Sequence, residues 1–373
     1  MKIKIILLFF LSSFLYCCIE KQKDENNTIS VDLDQKQNVS IFNIFSKIDI
    51  IPLETNDSSL IKFISKLVVY HDNFYILDDM SKIITFTHDG KFLFQINNKG
   101  IGPDEYIGIS DFDIYSDSLS ILSGMDSRMH IYDNKGNFIR RFKLPNIKKS
   151  YESFKNVNKD TVAFWTYDYE NRLKLYSKST KQIFKEKMPE KNDIYTYLGI
   201  QKFPYENYIP SVNDNRVFKI TSQSEIIEAY KWDFGKLNNT PKMIENPPVL
   251  NSQNESRELI NKIMSSEVIN YVFLRAGGNS RYTYTKLNRK NAHINVFYDK
   301  FSKKTYVFEK TTEKVQIYPL CWTDSYMIGW VPEKVSVIDD VIPDIILNKE
   351  NIKIKNKLSQ FDNPILIKYY FKK

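Results

Sequence analysis

The sequence predicts an all-β fold: a six-bladed β-propeller of four-stranded antiparallel blades, with one short helical insertion. Three observations predict it. First, short strand patterns recur as a set. Residues 74–77, 83–87 and 92–96 return as 119–122, 130–132 and 138–140, then as 161–165, 173–177 and 182–184. Second, the strands alternate with a period of two. Phe92, Phe94 and Ile96 share one face and Leu93 and Gln95 the other, as in a half-buried strand. Third, polar turns separate them: Asp72-Asn73, Asp89-Gly90 and Asn134-Lys135-Gly136. Asp89-Gly90 reads as a two-residue hairpin in which both central residues take positive φ. A repeated unit of this kind, carried round the chain, closes into a propeller.

Composition supports a large folded core and excludes disorder. Of 373 residues 42% are hydrophobic, with 24 Tyr and 25 Phe. Only 11 Gly serve many turns, so Asn, Asp and Lys must take a share of them. The formal charge of +8 is scattered among acidic residues with no basic block, which indicates a solvated surface and no nucleic-acid partner. Cys17 and Cys18 end a leader, so Cys321 is alone in the mature chain and no internal disulfide is expected.

In chain order, residues 1–17 read as a lipoprotein signal peptide. Lys2 and Lys4 precede an apolar run over 5–15, too short for the roughly 20 residues that span a bilayer. Leu15-Tyr16-Cys17-Cys18 resembles a lipobox. Cys18 is the expected lipid anchor, because Cys17 then supplies the small residue before it. Residues 18–40 read as a flexible polar tether, and Gln22-Lys23-Asp24-Glu25 within it looks like a short acidic surface-export tag. The propeller is expected over 41–373. Its first strand, 48–54, is stopped by Pro52 and precedes the first complete unit. It is therefore expected to pair with the last unit and close the ring.

Units one and two flank the loop Gly100-Ile101-Gly102-Pro103-Asp104-Glu105-Tyr106. A third spans 151–189 and a fourth 195–235. An excursion over 236–256 carries Pro241, Pro247 and Pro248. Leu259/Ile263 and Ile260/Met264 then mark a short amphipathic helix over 258–264. Strands resume at 268–274, 292–298 and 304–309. The last unit holds 317–322, 326–330 and 335–338, and a terminal strand covers 363–369.

Four spaced motifs resemble the six-bladed β-propeller lipoproteins of Gram-negative bacteria, which are related in style to NHL-type propellers. Ile51-Pro52-Leu53-Glu54-Thr55 is similar to their opening IPLET, and the loop over 100–106 to their GxGPGEY, with Asp104 where Gly is usual. Val217-Phe218-Lys219-Ile220 with Trp232-Asp233-Phe234-Gly235 resembles a mid-chain YKI…DFG, and Asp362-Asn363-Pro364-Ile365-Leu366 a terminal DNPVL. The resemblance implies the fold and an outer-membrane lipoprotein, on the cell surface or the periplasmic face. It implies no reaction and no catalytic residues.

Candidate chemistry is sparse. A phosphate-binding loop leads into a helix, but a strand pattern over 109–115 follows the loop at 100–106. That loop therefore reads as a joint between units. Gly100 and Gly102 are expected to supply unusual φ, Pro103 to stiffen the turn, Tyr106 to pack between units, and Glu105 to accept backbone N–H groups. His71, His88, His130 and His293 form no metal motif, so no metal and no cofactor are expected. No G-x-S-x-G elbow occurs. Asp111, Asp113, Asp78 and Asp79 read as turn carboxylates, and Cys321 as a small buried hydrophobe. Trp165, Trp232, Trp322 and Trp330 read as blade core, or as stacking platforms for sugars.

These observations point to a monomeric, lipid-anchored envelope protein that binds a protein or glycan ligand, meets the membrane through its anchor alone, and has no catalytic signature. The alternative is a propeller enzyme, a metal-dependent lactonase, lyase or hydrolase, with its site on the central axis. The side chains around that axis discriminate the two.

Overall fold

The computed structural model describes residues 27–35, 37–79, 81–168, 170–188, 207–211, 214–238, 252–269, 275–331 and 338–373. Two strands come first, β1 (Thr28–Ser30) and β2 (Phe45–Ile51), and both pair far down the chain. Blade one is β3 (Ile64–Tyr70), β4 (Asn73–Asp78), β5 (Lys82–Phe86) and β6 (Phe92–Ile96). Blade two is β7 (Asp111–Tyr115), β8 (Ser118–Ser123), β9 (Arg128–Asp133) and β10 (Phe138–Lys143). Blade three is β11 (Tyr151–Asn156), β12 (Thr161–Thr166), β13 (Leu173–Ser177) and β14 (Gln182–Lys187). Blade four holds β15 (Tyr208–Pro210), β16 (Arg216–Ile220) and β17 (Ile226–Asp233), with β1 outermost. Blade five is β18 (Arg275–Gly278), β19 (Tyr282–Arg289), β20 (Ala292–Asp299) and β21 (Lys304–Phe308). Blade six is β22 (Pro319–Trp322), β23 (Tyr326–Trp330) and β24 (Leu366–Phe371), completed by β2.

The six-bladed ring is therefore as the repeat predicts, and it closes as expected. β2 lies antiparallel to β24, with Ile48 opposite Tyr369, Ile50 opposite Ile367 and Ile51 opposite Leu366. Apolar side chains from facing blades fill the wedges. Phe45, Tyr284, Phe297, Trp322 and Tyr369 join blades five and six, and Tyr75, Ile83, Tyr106, Phe112 and Ile121 join blades one and two.

Several elements differ from expectation. The segment expected to be tether up to residue 40 is folded from residue 27. β1 runs parallel to β17, so blade four departs from the all-antiparallel pattern. The chain then straps the outside of blade five, where Val307 N–H donates to Gln37 Oε1 at 3.3 Å and Thr312 N–H to Val39 O at 2.9 Å. Polar composition misleads here because the outer strand edge supplies backbone partners that a sequence does not display. The third strand of blade six is β24, and Ile338 starts a helical turn (Ile338–Val341) instead of ending a strand. The predicted helix is α1 (Gln253–Met264). A second, α2 (Lys349–Lys355), was not expected, and its Asn351 Oδ1 accepts the edge N–H of Ile50 at 2.7 Å. Residues 195–206 of the expected fourth unit, 270–274 of the expected strand 268–274 and 335–337 of the expected strand 335–338 lie outside the described residues.

The Asp89-Gly90 turn is a three-residue connection. Only Gly90 takes positive φ (88°), Gly90 N–H donates to Thr87 O at 3.0 Å, and Thr87 N–H to Lys91 O at 2.8 Å. Gly136 (84°) repeats it in blade two, and Lys181, Ser224 and Lys303 take positive φ at the corresponding turns of blades three to five. Two-residue hairpins occur instead between first and second strands, at His71-Asp72 and Ser116-Asp117, where both residues have positive φ. The scarcity of glycine is thus met as composition suggested.

Strand alternation gives the ring two ends. Chain passes from blade to blade, and from second to third strand, at one end, here the loop end. First-to-second and third-to-fourth hairpins occupy the other, here the turn end.

Candidate functional site

The loop at 100–106 joins blades one and two. Tyr106 is fully buried. Its hydroxyl donates to Ser81 O (3.0 Å) and Ile96 O (3.2 Å) and accepts from Asn98 N–H (3.2 Å). From blade two, Arg141 Nη1 donates to Gly102 O at 2.7 Å. Glu105 Oε2 accepts Gly102 N–H at 2.6 Å. Gly100 and Gly102 do not take positive φ. They are small for another reason: a Cβ on Gly100 would lie 2.1 Å from Glu105 Oε2, and one on Gly102 3.0 Å from the same carboxylate. The glycines make room for an acid that folds back over the loop.

Around the axis, the innermost strands carry charge. Asp111 and Asp113 alternate on β7, which places both on one face. Asp111 Oδ1 accepts from Lys66 Nζ of β3 at 2.7 Å, and its Oδ2 from Phe154 N–H of β11 at 2.8 Å. Asp113 Oδ1 accepts from Lys155 Nζ at 2.6 Å, and its Oδ2 from Asn156 N–H and Nδ2 at 3.0 and 2.9 Å. They are not turn carboxylates: they stitch the inner strands of three blades together. Burial works against the charge of Asp113, but Lys155 and then Lys66 outweigh it and hold its carboxyl below the ordinary range. At Asp111 burial prevails over Lys66 and pushes the carboxyl up. Cys321, on β22, is half-buried and not fully enclosed as expected. Burial raises its thiol pKa although Lys155 and Lys66 act on it in the opposite sense.

The other candidates are structural in position. Asp78 is buried, and its Oδ1 accepts from the N–H groups of Lys62 and Phe63 at 2.8 and 2.9 Å. Trp165, Trp232 and Trp322 are buried in blade core, and Trp330 is half-buried with its ring 5.4 Å from Phe63. His130 is buried against Tyr106, and among the described residues neither ring nitrogen has a partner. Among the described residues no three His, Cys, Asp or Glu side chains come together to hold a metal. Cys18 lies outside the described residues.

The loop end exposes apolar side chains that no motif announced. Ile101 (93% exposed), Met125 (79%), Phe361 (78%) and Ile345 (76%) stand there, with Phe63 and Leu60 about half exposed. All belong to blades six, one and two or to the connections between them. Among the described residues of the tight hairpins at the turn end, Phe301 is the large hydrophobe so exposed.

A family profile matches residues 26–370, described as Domain of unknown function (DUF4934). The chain belongs to the DUF4934 family. A search of curated proteins finds no match. The DUF4934 chain is similar to a crystal structure from Bacteroides fragilis NCTC 9343 that carries the name "Putative exported protein", with 18% identity and a TM-score of 0.73. The match covers 93% of this chain and all of that one. It is also similar to a duf4221 family member from Bacteroides vulgatus, with 12% identity and a TM-score of 0.50, over 90% of this chain and 99% of that one. At these identities the likeness shows the propeller fold. Two motifs of the sequence resemblance, IPLET and DNPVL, meet at the ring closure of this DUF4934 propeller.

Proposed function

We propose that this DUF4934 protein is an exported, lipid-anchored propeller that acts by binding a protein partner through its loop end, not by catalysis. The exposed apolar set on blades six, one and two carries the reading. Single exposed hydrophobes are ordinary, but several gathered at one end of a ring fit an interaction face. The 100–106 joint and the axial acids support it from the other side. Gly100, Gly102, Pro103, Glu105 and Tyr106 act as an inter-blade fastening, and every oxygen of Asp111 and Asp113 is already engaged. Among the described residues no helix is long and apolar enough to cross a membrane, so in this reading Cys18 provides the attachment, on the cell surface or the periplasmic face.

The native protein should form chemical cross-links to a partner in intact cells, and replacing Ile101, Met125 and Phe361 together by Ser should abolish them while leaving the unfolding midpoint unchanged. Undiminished cross-links contradict the reading. For the anchor, Cys18→Ala should release the protein from membranes washed in high salt, because stable anchoring needs the acyl chains. Retention after that wash places the attachment elsewhere.

A further inference from the structure

The chain enters the ring at a defined place. β1 lies parallel to β17, and β17 rises from the 221–225 hairpin of the turn end, so β1 is entered from the turn-end side of blade four. Asn27, Thr28 and Lys303 line one cavity, which sets that entry beside the β20–β21 hairpin of blade five. With the attachment at Cys18, nine residues, 19–27, lead from the lipid to β1. Fully extended they reach about 32 Å. A folded chain of this size has a radius of gyration of about 20 Å and so a width of about 50 Å. A bilayer against the outer strands of blades one and two, across the ring, is therefore beyond reach. One at the turn end of blades four and five is within it.

That place carries a distinct surface. Phe301, in the β20–β21 hairpin, is 74% exposed, and exposed Lys303 and Lys304 follow it. Arg281 Cζ lies 5.9 Å from the centre of the Phe301 ring. Its Nη1 donates to Lys372 O at 3.0 Å, which brings exposed Lys372 of blade six alongside. Of the acids here, Asp299 is buried against Arg281, and exposed Asp324 accepts Ser280 N–H at 2.8 Å. Exposed Glu225 on the neighbouring hairpin confines the basic surface to blades five and six. One exposed Phe is ordinary on its own. A Phe flanked by cations, where an anchored chain enters the fold, is the composition of a membrane-contacting edge.

We propose that the turn-end edge of blades five and six rests on the anionic lipid surface that holds the Cys18 acyl chains, with Phe301 among the headgroups and Lys303, Lys304, Arg281 and Lys372 over them. The proposal rests on the attachment at Cys18 and adds to it, since the membrane is then met by a protein face as well as by the anchor. Docking this edge turns the loop-end apolar set of blades six, one and two away from the bilayer and toward a partner. The contact is weak beside the acyl chains and sensitive to salt, because basic residues attract headgroups only within a Debye length.

Tryptophan quenching by brominated acyl chains tests this on the acylated mature protein, in vesicles of equal parts phosphatidylcholine and phosphatidylglycerol. After subtraction of the native signal, the tryptophan added by Phe301→Trp should lose roughly half of its emission or more, as for a ring about 5–10 Å deep. One added by Ile101→Trp should lose none. The quenching should fall severalfold in phosphatidylcholine alone and in high salt. It should fall likewise when Lys303→Glu and Lys304→Glu are added together, with the unfolding midpoint unchanged and the protein still held by its acyl chains. Equal quenching at 301 and 101, no quenching at 301, or quenching indifferent to lipid charge each overturns the proposal. The mass of the bound protein separates the two readings. An unacylated chain on the vesicles overturns the attachment at Cys18 and this edge with it, and an acylated chain unquenched at 301 overturns the edge alone.

Discussion

Asn363 N–H donates to the Thr55 hydroxyl at 2.9 Å, joining two residues that lie near opposite ends of the chain. The Asn363 side chain completes the join. Its Nδ2 donates to Glu54 O and Ser59 O at 2.8 and 2.9 Å, and its Oδ1 accepts Ile61 N–H at 2.8 Å. This one buried carboxamide holds the chain where it leaves β2 for blade one, beside the start of β24. Asn363→Ala strands Ser59 O and Ile61 N–H, each costing about 1–3 kcal/mol when buried and unpaired, and takes one of two donors from Glu54 O, which keeps the Ser59 hydroxyl at 2.7 Å. A loss of about 3 kcal/mol or more in urea unfolding is expected. A shift no larger than that of an exposed polar-to-Ala control would show that the closure does not depend on it.

The Glu105 fold-back makes an ordered prediction. Gly100→Ala should destabilise more than Gly102→Ala, because the new methyl at 100 occupies the carboxylate's place while that at 102 only crowds it. Glu105→Gln keeps the shape and weakens one charge-assisted bond, so a loss of about 1 kcal/mol is expected. Melting curves of the three variants check the ranking, and equal effects at 100 and 102 would contradict it.

Buried His130 gives acid sensitivity of predictable sign. Burial lowers its pKa, Asp126 and Asp104 oppose this, and Arg141 and Arg128 assist it. The native state therefore resists the proton that the unfolded chain accepts near pH 6.5. The stability from this group is present above that pH and is lost as pH falls toward the lowered native value. His130→Phe should remove this part of the slope of unfolding free energy below pH 6.5, with the carboxylates common to both proteins cancelling in the comparison. An identical slope in native and variant protein refutes it.

What the sequence revealed follows the range of the forces involved. Strand alternation and turn chemistry are local, so the repeat from β4 to β14 was legible. The closure by β2 was legible because an apolar strand ahead of the first unit needs a partner. β1 was not, since three residues in a polar run give no periodicity, and the edge of β17 that pairs with them lies some two hundred residues on. The axial stitch left a signal that could have been read: Asp111 and Asp113 share one face of a strand, as do no solvated turn acids, and Lys66 and Lys155 sit on other inner strands. The exposed loop-end set was illegible, because Ile101, Met125, Ile345 and Phe361 come from separate loops that only the closed ring gathers.

The binding face is tested most directly by mapping contacts residue by residue in living cells. A photo-cross-linking amino acid placed at 101 and 361 on the loop end, and at 139 and 184 on the outer strands, samples two surfaces that both carry exposed apolar side chains. Discrete adducts of one mass from 101 and 361, and none from 139 and 184, are the predicted result. Adducts from the outer strands alone, or from none of the four positions, would contradict a partner bound at the loop end.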